Sequence, residues 1–397
     1  MKIYKNENFK KVRVNNEDTI LPNDWFIKKY KDFGGFKTGK DYKNFIGDKY
    51  SVYGSSEKAM PIKTNFPLYS NISFIIGRKG TINKPYRIDK PFWCVDTAMY
   101  FNLSSGNRDF LFYTCSMVDW MKYNKGGVLP SLTQSFINEF EFISPNVEEQ
   151  KRIADVLSKQ ESIINKTKDL IEQLDKRNTF MLDELLSGRL RIKKEDGKME
   201  FYKNPDDNWQ TVLMNDISIR IPLGWTNNFL KGFLKIETGK KDANAGNKNK
   251  GKYSFFTCSR ETLKTDEYSF DCEAILMAGN GSVGEVKYFN GKFDAYQRTY
   301  ILSNYKYDLK YLYHYLNIYF RKDLNILGAT IPYIKMGHIE NFIIKYPEDE
   351  KEQSLILNSI ESLIKEKEKY EDLLIEEQKK FDFLLEELMS GRLRIEE

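Results

Sequence analysis

The octapeptide LLSGRLRI at 185–192 returns as LMSGRLRI at 388–395, 203 residues later. Working outward from it, the second half of the chain echoes the first. LPNDW at 21–25 answers IPLGW at 221–225, and TGK at 38–40 answers TGK at 238–240, both at an offset of 200. GTIN at 80–83 answers GSVG at 281–284, an offset of 201. Pro130, Ile137, Phe140 and Pro145 answer Pro332, Ile339, Phe342 and Pro347 at 202, and Gln150 answers Gln353 at 203. A monotonic series of this length is the signature of a tandem duplication. The two copies span about 1–197 and 198–397.

Each copy ends in a helical pattern. Residues 148–187 contain no proline or glycine, with Ile153, Leu157, Ile164, Ile171, Leu174, Met181 and Leu185 at helical spacing. The second pattern runs through Ile356, Ile360, Leu363, Tyr370, Leu374, Phe381, Leu384 and Leu388. Pro145 and Pro347 precede them, and Gly188 and Gly391 supply the C-terminal stop. A helix of some 40 residues runs about 60 Å and cannot bury its stripe inside a small domain. The two stripes are therefore expected to bury each other as a coiled coil. Gln160, Thr167 and Arg177 interrupt the first stripe, and two separate amphipathic helices on a globular core remain the alternative.

The rest of each copy reads as a compact α+β domain. YSVYG, NISFII, EAILMA and RTYILS are short, β-branched or aromatic, and bounded by turn residues. Residues 308–325 carry helical spacing, and their counterpart near 109–121 is weaker.

Charge is segregated along the same lines. The net charge is +5, but residues 1–147 carry +8, 148–187 carry −2, 188–347 carry +7 and 348–390 carry −8. Basic globular parts imply a polyanionic partner, and acidic helices a different task. Hydrophobic residues make up 41% of 397, enough for cored domains, and no apolar run approaches the roughly 18 residues of a membrane span. The opening MKIYKNENFKK is not a secretory signal pattern. Cys94, Cys115, Cys258 and Cys272 form no CxxC pair, which points to reduced thiols in a cytosol.

Motifs of catalysis fail one by one. Gly34, Gly39 and Lys40 spell GxxxxGK, but Asp41 stands where a phosphate loop needs Ser or Thr. Gly279, Gly281 and Gly284 spell GxGxxG, but a strand-like EVKYFNGKF follows instead of a helix, so a glycine-rich hairpin is expected. Asp271, Glu285 and Lys287 only faintly suggest a metal-dependent nuclease, and the first copy has Lys84 and Tyr86 at the last two positions. No NPPY-like tetrapeptide of amino-methyltransferases occurs. His314 and His338, the only histidines, answer to Phe112 and Phe136 and make a zinc site or Ser-His-Asp triad implausible.

The ordered set, a Pro-x-x-Trp turn, TGK, a Gly-rich hairpin, Pro…Ile…Phe…Pro, Glu-Gln and the SGRLRI helix end, found twice, resembles the specificity subunits of type I restriction–modification systems over essentially the whole chain. The departures are Asp24 against Gly224 and Asn83 against Gly284. The resemblance implies an α+β fold. A tandem duplication of a basic target-recognition domain is followed each time by a long helix, and the helices pair as an antiparallel coiled coil with pseudo-two-fold symmetry. The spans are 1–147 for the first recognition domain, 148–190 for the first helix, 191–347 for the second domain, and 348–397 for the second helix and tail. It further implies a cytoplasmic, non-catalytic chain that reads a bipartite duplex DNA target, with the helices setting the spacer between half-sites. Two modification subunits dock on the helices and restriction (motor–nuclease) subunits join outside; S-adenosylmethionine, ATP and Mg belong to those partners, and this chain binds no cofactor. A coiled-coil scaffold without DNA specificity, or a recognition protein fused to a nuclease or methylase, are the other classes.

Candidate DNA contacts are loop cations beside polar or aromatic residues. In the first copy they are Lys37, Lys40, Lys43, Lys49, Tyr53, Arg78, Lys79 and Lys84; in the second, Lys240, Lys241, Lys248, Lys250, Lys252, Arg260 and Arg298. Arg78 and Arg298 are the expected base readers, because a guanidinium fork fits guanine O6 and N7.

Overall fold

The computed structural model describes residues 2–196, 198–214, 216–248, 250–326 and 333–396. It divides into two compact units, one of residues 1–169 with 371–397, the other of residues 170–370. The compact units are therefore offset from the two sequence copies: each takes the start of one long helix and the end of the other.

The second unit shows the sheet plan most plainly. Six strands lie in the order Lys235–Thr238, Thr299–Ser303, Phe270–Ala278, Val286–Ala295, Tyr253–Phe256, Thr262–Thr265. The first unit repeats the first four as Phe36–Thr38, Ala98–Phe101, Ser73–Gly77 and Tyr86–Ile88. Its counterpart of the long strand Val286–Ala295 is broken into Tyr86–Ile88 and Trp93–Cys94. Pro91 lies in the break and has no N–H to give a ladder. Beyond the break the pairing resumes: Trp93 and Cys94 run parallel to Val52 and Tyr53, as Phe293 to Ala295 run parallel to Ser254 to Phe256. GTIN and GSVG cap antiparallel hairpins in both units, and the residues after GSVG form a strand. Asp271 and Lys287 sit on opposite strands at register positions five residues apart (Lys287 faces Leu276), roughly 17 Å along the sheet, so no nuclease cluster assembles.

Helices Arg108–Met117 and Leu309–Ile326 pack on these sheets. Trp25, Tyr30, Phe36, Phe74, Phe101, Phe110 and Trp120 are buried in the first core; Trp225, Ile275, Leu302, Leu312, Leu316 and Phe320 in the second. His314 is only 6% exposed in the second unit, and its imidazole is pushed down to about 4, chiefly because burial disfavours the charged ring. Below the ordinary histidine value of about 6.5 the unfolded chain takes up a proton that the fold refuses. Stability of this unit is expected to be full above pH 6.5 and to fall between pH 6.5 and 4, the full loss approaching about 3 kcal/mol. His314→Phe, the residue of the first copy, should flatten that slope in urea titrations at stepped pH.

The long helices run Val147–Ser187 and Glu350–Met389. Their entries are locked alike: Gln150 Nε2 donates to Pro145 O at 3.3 Å and Gln353 Nε2 to Pro347 O at 2.8 Å. They end at Gly188 (φ +75°) and Gly391 (φ +72°), in the left-handed conformation that favours glycine. The fit is tight as well. A Cβ on Gly188 would lie 2.4 Å from Pro222 Cγ, and one on Gly391 2.4 Å from Pro22 Cγ. The SGRLRI ends thus rest on the Pro-x-x-Trp turns, the first helix on Pro222–Trp225 and the second on Pro22–Trp25.

Within each unit the helix segments touch. In the first, Ile153, Ala154 and Leu157 share a core with Leu388 and Met389, and the buried Gln160 amide donates to the carbonyl and carboxylate of Glu377. In the second, Asn178 Nδ2 donates to Leu363 O at 2.8 Å, and Arg177 pairs with Glu366 at 2.6 Å. Gln160 and Arg177, two of the three residues that break the apolar stripe, therefore have polar partners on the opposing helix segment, and the buried Gln160 and Asn178 amides are satisfied as buried polar groups require.

Arg191 and Arg394 extend from the helix ends into buried ion pairs. Arg191 forks onto Glu352, with Nη2–Oε2 at 2.7 Å, and donates to Leu223 O at 3.2 Å. Arg394 forks onto Glu149, with Nη2–Oε2 at 2.8 Å, and also onto Asp24 at 3.0 and 2.8 Å. Strand Leu190–Glu195 continues into a hairpin with Lys198–Lys203, whereas Leu393–Glu396 pairs with Lys2–Lys5. No helix among the described residues is long and apolar enough to cross a membrane. The four cysteines are free thiols, and burial pushes Cys94 and Cys115 up. Among the described residues no group of three or more His, Cys, Asp or Glu could hold a metal. Pro332 lies outside the described residues.

Candidate nucleic-acid interface

In each unit one tight turn gathers the loops in question. In the first it is closed by Ala98 N donating to Val95 O at 3.0 Å; in the second by Thr299 N donating to Tyr296 O at 2.7 Å. The TGK loop docks on it. Gly39 N donates to Ala98 O and Gly239 N to Thr299 O, both at 3.0 Å. The approach is so close that a Cβ on Gly39 would lie 2.2 Å from Val95 O, and one on Gly239 2.2 Å from Ala295 O. That is the reason glycine recurs at both positions.

The glycine-rich hairpin docks on the same turn from the other side. Arg78 N donates to Thr97 O at 2.8 Å, and Gly279 N to Arg298 O at 3.0 Å. These are the same bond in the two units, and the arginine has changed sides: it is the donor residue in one and the acceptor residue in the other. A third segment closes the junction, with Leu132 N on Arg78 O at 2.9 Å and Ile334 N on Gly279 O at 2.7 Å. Lys40, Arg78 and Lys79 are thus brought together in the first unit, and Lys240, Lys241 and Arg298 in the second.

The other expected contacts divide by their surroundings. Lys37, Lys49 and Lys84 are exposed on the first unit, and Lys250 on the second. Arg78 is half-buried, and its Nε donates to Asp96 O at 2.7 Å, which fixes the direction of the fork. Arg298 is exposed on the turn itself. Lys240 and Lys252 lie over the rings of Phe270 and Tyr253, 5.1 and 5.4 Å from the centroids. Lys43 has Asp41 at 3.9 Å.

One expectation needs correction, and three further cations are ion-paired. Tyr53 is 7% exposed and packs with Ile75, Tyr86 and Phe92, so it belongs to the core. Its strand is buried on both faces, Val52 facing a second cluster with Trp93 and Val95. Lys241 is held by Glu267 at 2.5 Å and Asp294 at 3.5 Å; the bond to Glu267 holds its amine above the usual lysine range. Lys248 pairs with Glu261 at 2.8 Å, and Arg260 with Glu285 at 3.2 Å. These cations already have carboxylate partners. Thr97 and Gln297, polar residues of the gathering turn, were missed; the offset of 201 between Thr97 and Arg298 was the signal that could have found them.

Comparison with known proteins agrees with this architecture. A family model described as the type I restriction modification DNA specificity domain matches residues 19–176 and 222–377, one match in each copy. The EcoDI specificity subunit of Escherichia coli is 38% identical over 146 residues, 36% of this chain and about a third (32%) of that protein's length. The MjaVIII specificity subunit of Methanocaldococcus jannaschii is 24% identical over 429 aligned positions, covering 100% of this chain and 98% of its own. The fold matches that of the S subunit from M. genitalium, with a TM-score of 0.62 at 16% identity over 92% of this chain and 96% of that one. It also matches a chain from a study of assembly and conformational transition of the type I R–M system, with a TM-score of 0.54 at 14% identity over 94% and 99%. With its duplicated domain matched twice across most of its length, the chain belongs to the family of type I restriction–modification DNA specificity proteins.

Proposed function

We propose that this chain is the non-catalytic, sequence-reading subunit of a type I restriction–modification complex, each unit holding one half-site of a bipartite duplex DNA. The observation that carries the reading is the repeated junction of TGK loop, turn and hairpin, which presents a lysine and a guanidinium together in both units. Lys40, Lys79 and Lys240 neutralise phosphates, and Arg78 and Arg298 read base edges. The arginine stands on opposite sides of an equivalent backbone bond, so the two units read unlike half-sites. Modification subunits dock on the acidic helices, two per chain, and motor–nuclease subunits join them in the cytoplasm. S-adenosylmethionine, ATP and Mg act on those partners, and this chain alone transfers no methyl group and cuts no DNA.

The test is selection from a random duplex pool by the full chain in complex with its modification partner. A bipartite consensus is expected; enrichment of no sequence overturns the reading. Arg78→Ala and Arg298→Ala should each relax one base pair, in different half-sites, at a cost of about 1–3 kcal/mol. Lys240→Ala should weaken binding to every sequence and lower the salt slope by about one. Lys241→Ala should leave that slope nearly unchanged, because its charge is already met by Glu267 and Asp294. Mobility shifts at stepped salt separate the two lysines.

A further inference from the structure

After TGK both units make a short 3-10 turn, Lys43–Phe45 in the first and Ala243–Ala245 in the second. The two turns carry different side chains. At the constant offset of 200, Phe45 and Ile46 of the first stand where the second has Ala245 and Gly246. Phe45 is 42% and Ile46 58% exposed, and Phe66, on the segment paired to them, is 66% exposed. Large apolar side chains at that exposure forgo much of the free energy that burial within the unit would supply.

The apolar group is rigidly mounted beside the junction. Trp93 Nε1 donates to Lys40 O at 2.8 Å, and the Trp93 ring lies 4.7 Å from that of Phe45. Ile46 pairs with Thr64 in a short antiparallel ladder, and Asn65 N donates to Phe45 O at 2.9 Å. Thr64 Oγ1 donates to Phe66 O at 2.7 Å, fixing the backbone that presents the third side chain. Lysines flank it along the chain: over residues 36–66 there are six, against Asp41, Asp48 and Glu57, with Lys43 on the turn itself and Lys63 paired to Gly47. An apolar knob on a lysine-rich segment fits a polyanion with an apolar interior, which describes a DNA duplex opened at one base step.

We propose that Ile46 and Phe66, backed by Phe45 on Trp93, form a wedge that enters between base pairs of the half-site held by the first unit and unstacks one step. The second unit, with Ala245 and Gly246 there, reads its half-site without such a step. Unstacking makes sequence felt through deformability, so the wedge adds preference for a flexible step beside the bases read by Arg78. This rests on the reading proposed above.

The probe is the duplex selected from the random pool, resynthesised with single 2-aminopurines along both half-sites, bound to the full chain with its modification partner and without S-adenosylmethionine. Wild type is expected to brighten one position in the first half-site that stays dark with Ile46→Ala and Phe66→Ala, every other bright position being unchanged. Both side chains are exposed, so their truncation leaves the fold intact, which a melting curve verifies. The variants should bind the selected duplex about tenfold more weakly and regain affinity when a mismatch pre-opens that step, with an unaltered salt slope. Wild-type affinity and an identical fluorescence pattern in the variants overturn the wedge while leaving the DNA reading intact. Loss of the modification partner with DNA fluorescence unchanged makes the patch a protein-docking surface and also overturns it. A pool from which nothing is selected removes the DNA reading and the wedge together.

Discussion

Arg191→Ala is expected to unfold the second unit under conditions where the first survives. The Arg191 and Glu352 side chains are each only 10% exposed. Removing the guanidinium leaves a carboxylate without its counter-ion and Leu223 O without its donor, which costs about 3–5 kcal/mol, comparable to much of a domain's stability. The equivalent Arg394→Ala should cost less. Asp24, one of its two carboxylate partners, is 61% exposed and can return to water, and Glu149 keeps Trp25 Nε1 at 3.3 Å. Trp225 Nε1 finds no such partner among the described residues, although Glu352 is forked by Arg191 just as Glu149 is by Arg394. Calorimetry should show one transition lowered and one retained. The double change Arg191→Met with Glu352→Met should recover most of the loss, since no buried charge is then stranded. Equal damage from Arg191→Ala and Arg394→Ala would contradict the asymmetry between Asp24 and Gly224.

Gly39→Ala and Gly239→Ala are expected to blind one half-site each. The added Cβ would stand 2.2 and 2.3 Å from two backbone carbonyl oxygens in either unit, and real contacts of this kind stay beyond 3.0 Å. The turn is held by backbone bonds and cannot yield as a side chain would. The loop must lift, taking with it the bond from Gly39 to Ala98 or from Gly239 to Thr299. Overpacking of this order costs about 3 kcal/mol, or roughly a hundredfold in binding if it falls wholly on the bound geometry. Competition between selected duplexes altered in one half-site checks it. Gly39→Ala should stop discriminating the half-site of the first unit and keep the other, and Gly239→Ala the reverse. Undiminished preference at both half-sites would mean that the junction does not face DNA.

The sequence by itself determined the duplication, the α+β class, the two long helices and the points where they start and stop. These are legible because they depend on local and repeated demands. A glycine must accept a left-handed turn at 188 and 391, a glycine must let a carbonyl approach at 39 and 239, and a proline must precede each helix. The same demand met twice leaves the same residue at a constant offset. Tertiary structure alone decided which cations meet carboxylates. Lys241, Lys248 and Arg260 meet Glu267, Glu261 and Glu285, acids 26, 13 and 25 residues away whose approach depends on strand pairing. It also decided that Tyr53 is core, because a strand buried on both faces shows no alternation to read. Only the fold could place Arg78 and Arg298 across an equivalent backbone bond, since their sequence positions do not correspond. And only the fold could show that Phe45, Ile46 and Phe66 stand in water: an apolar side chain is spelled alike whether it is buried or displayed, and its exposure is a property of what packs against it.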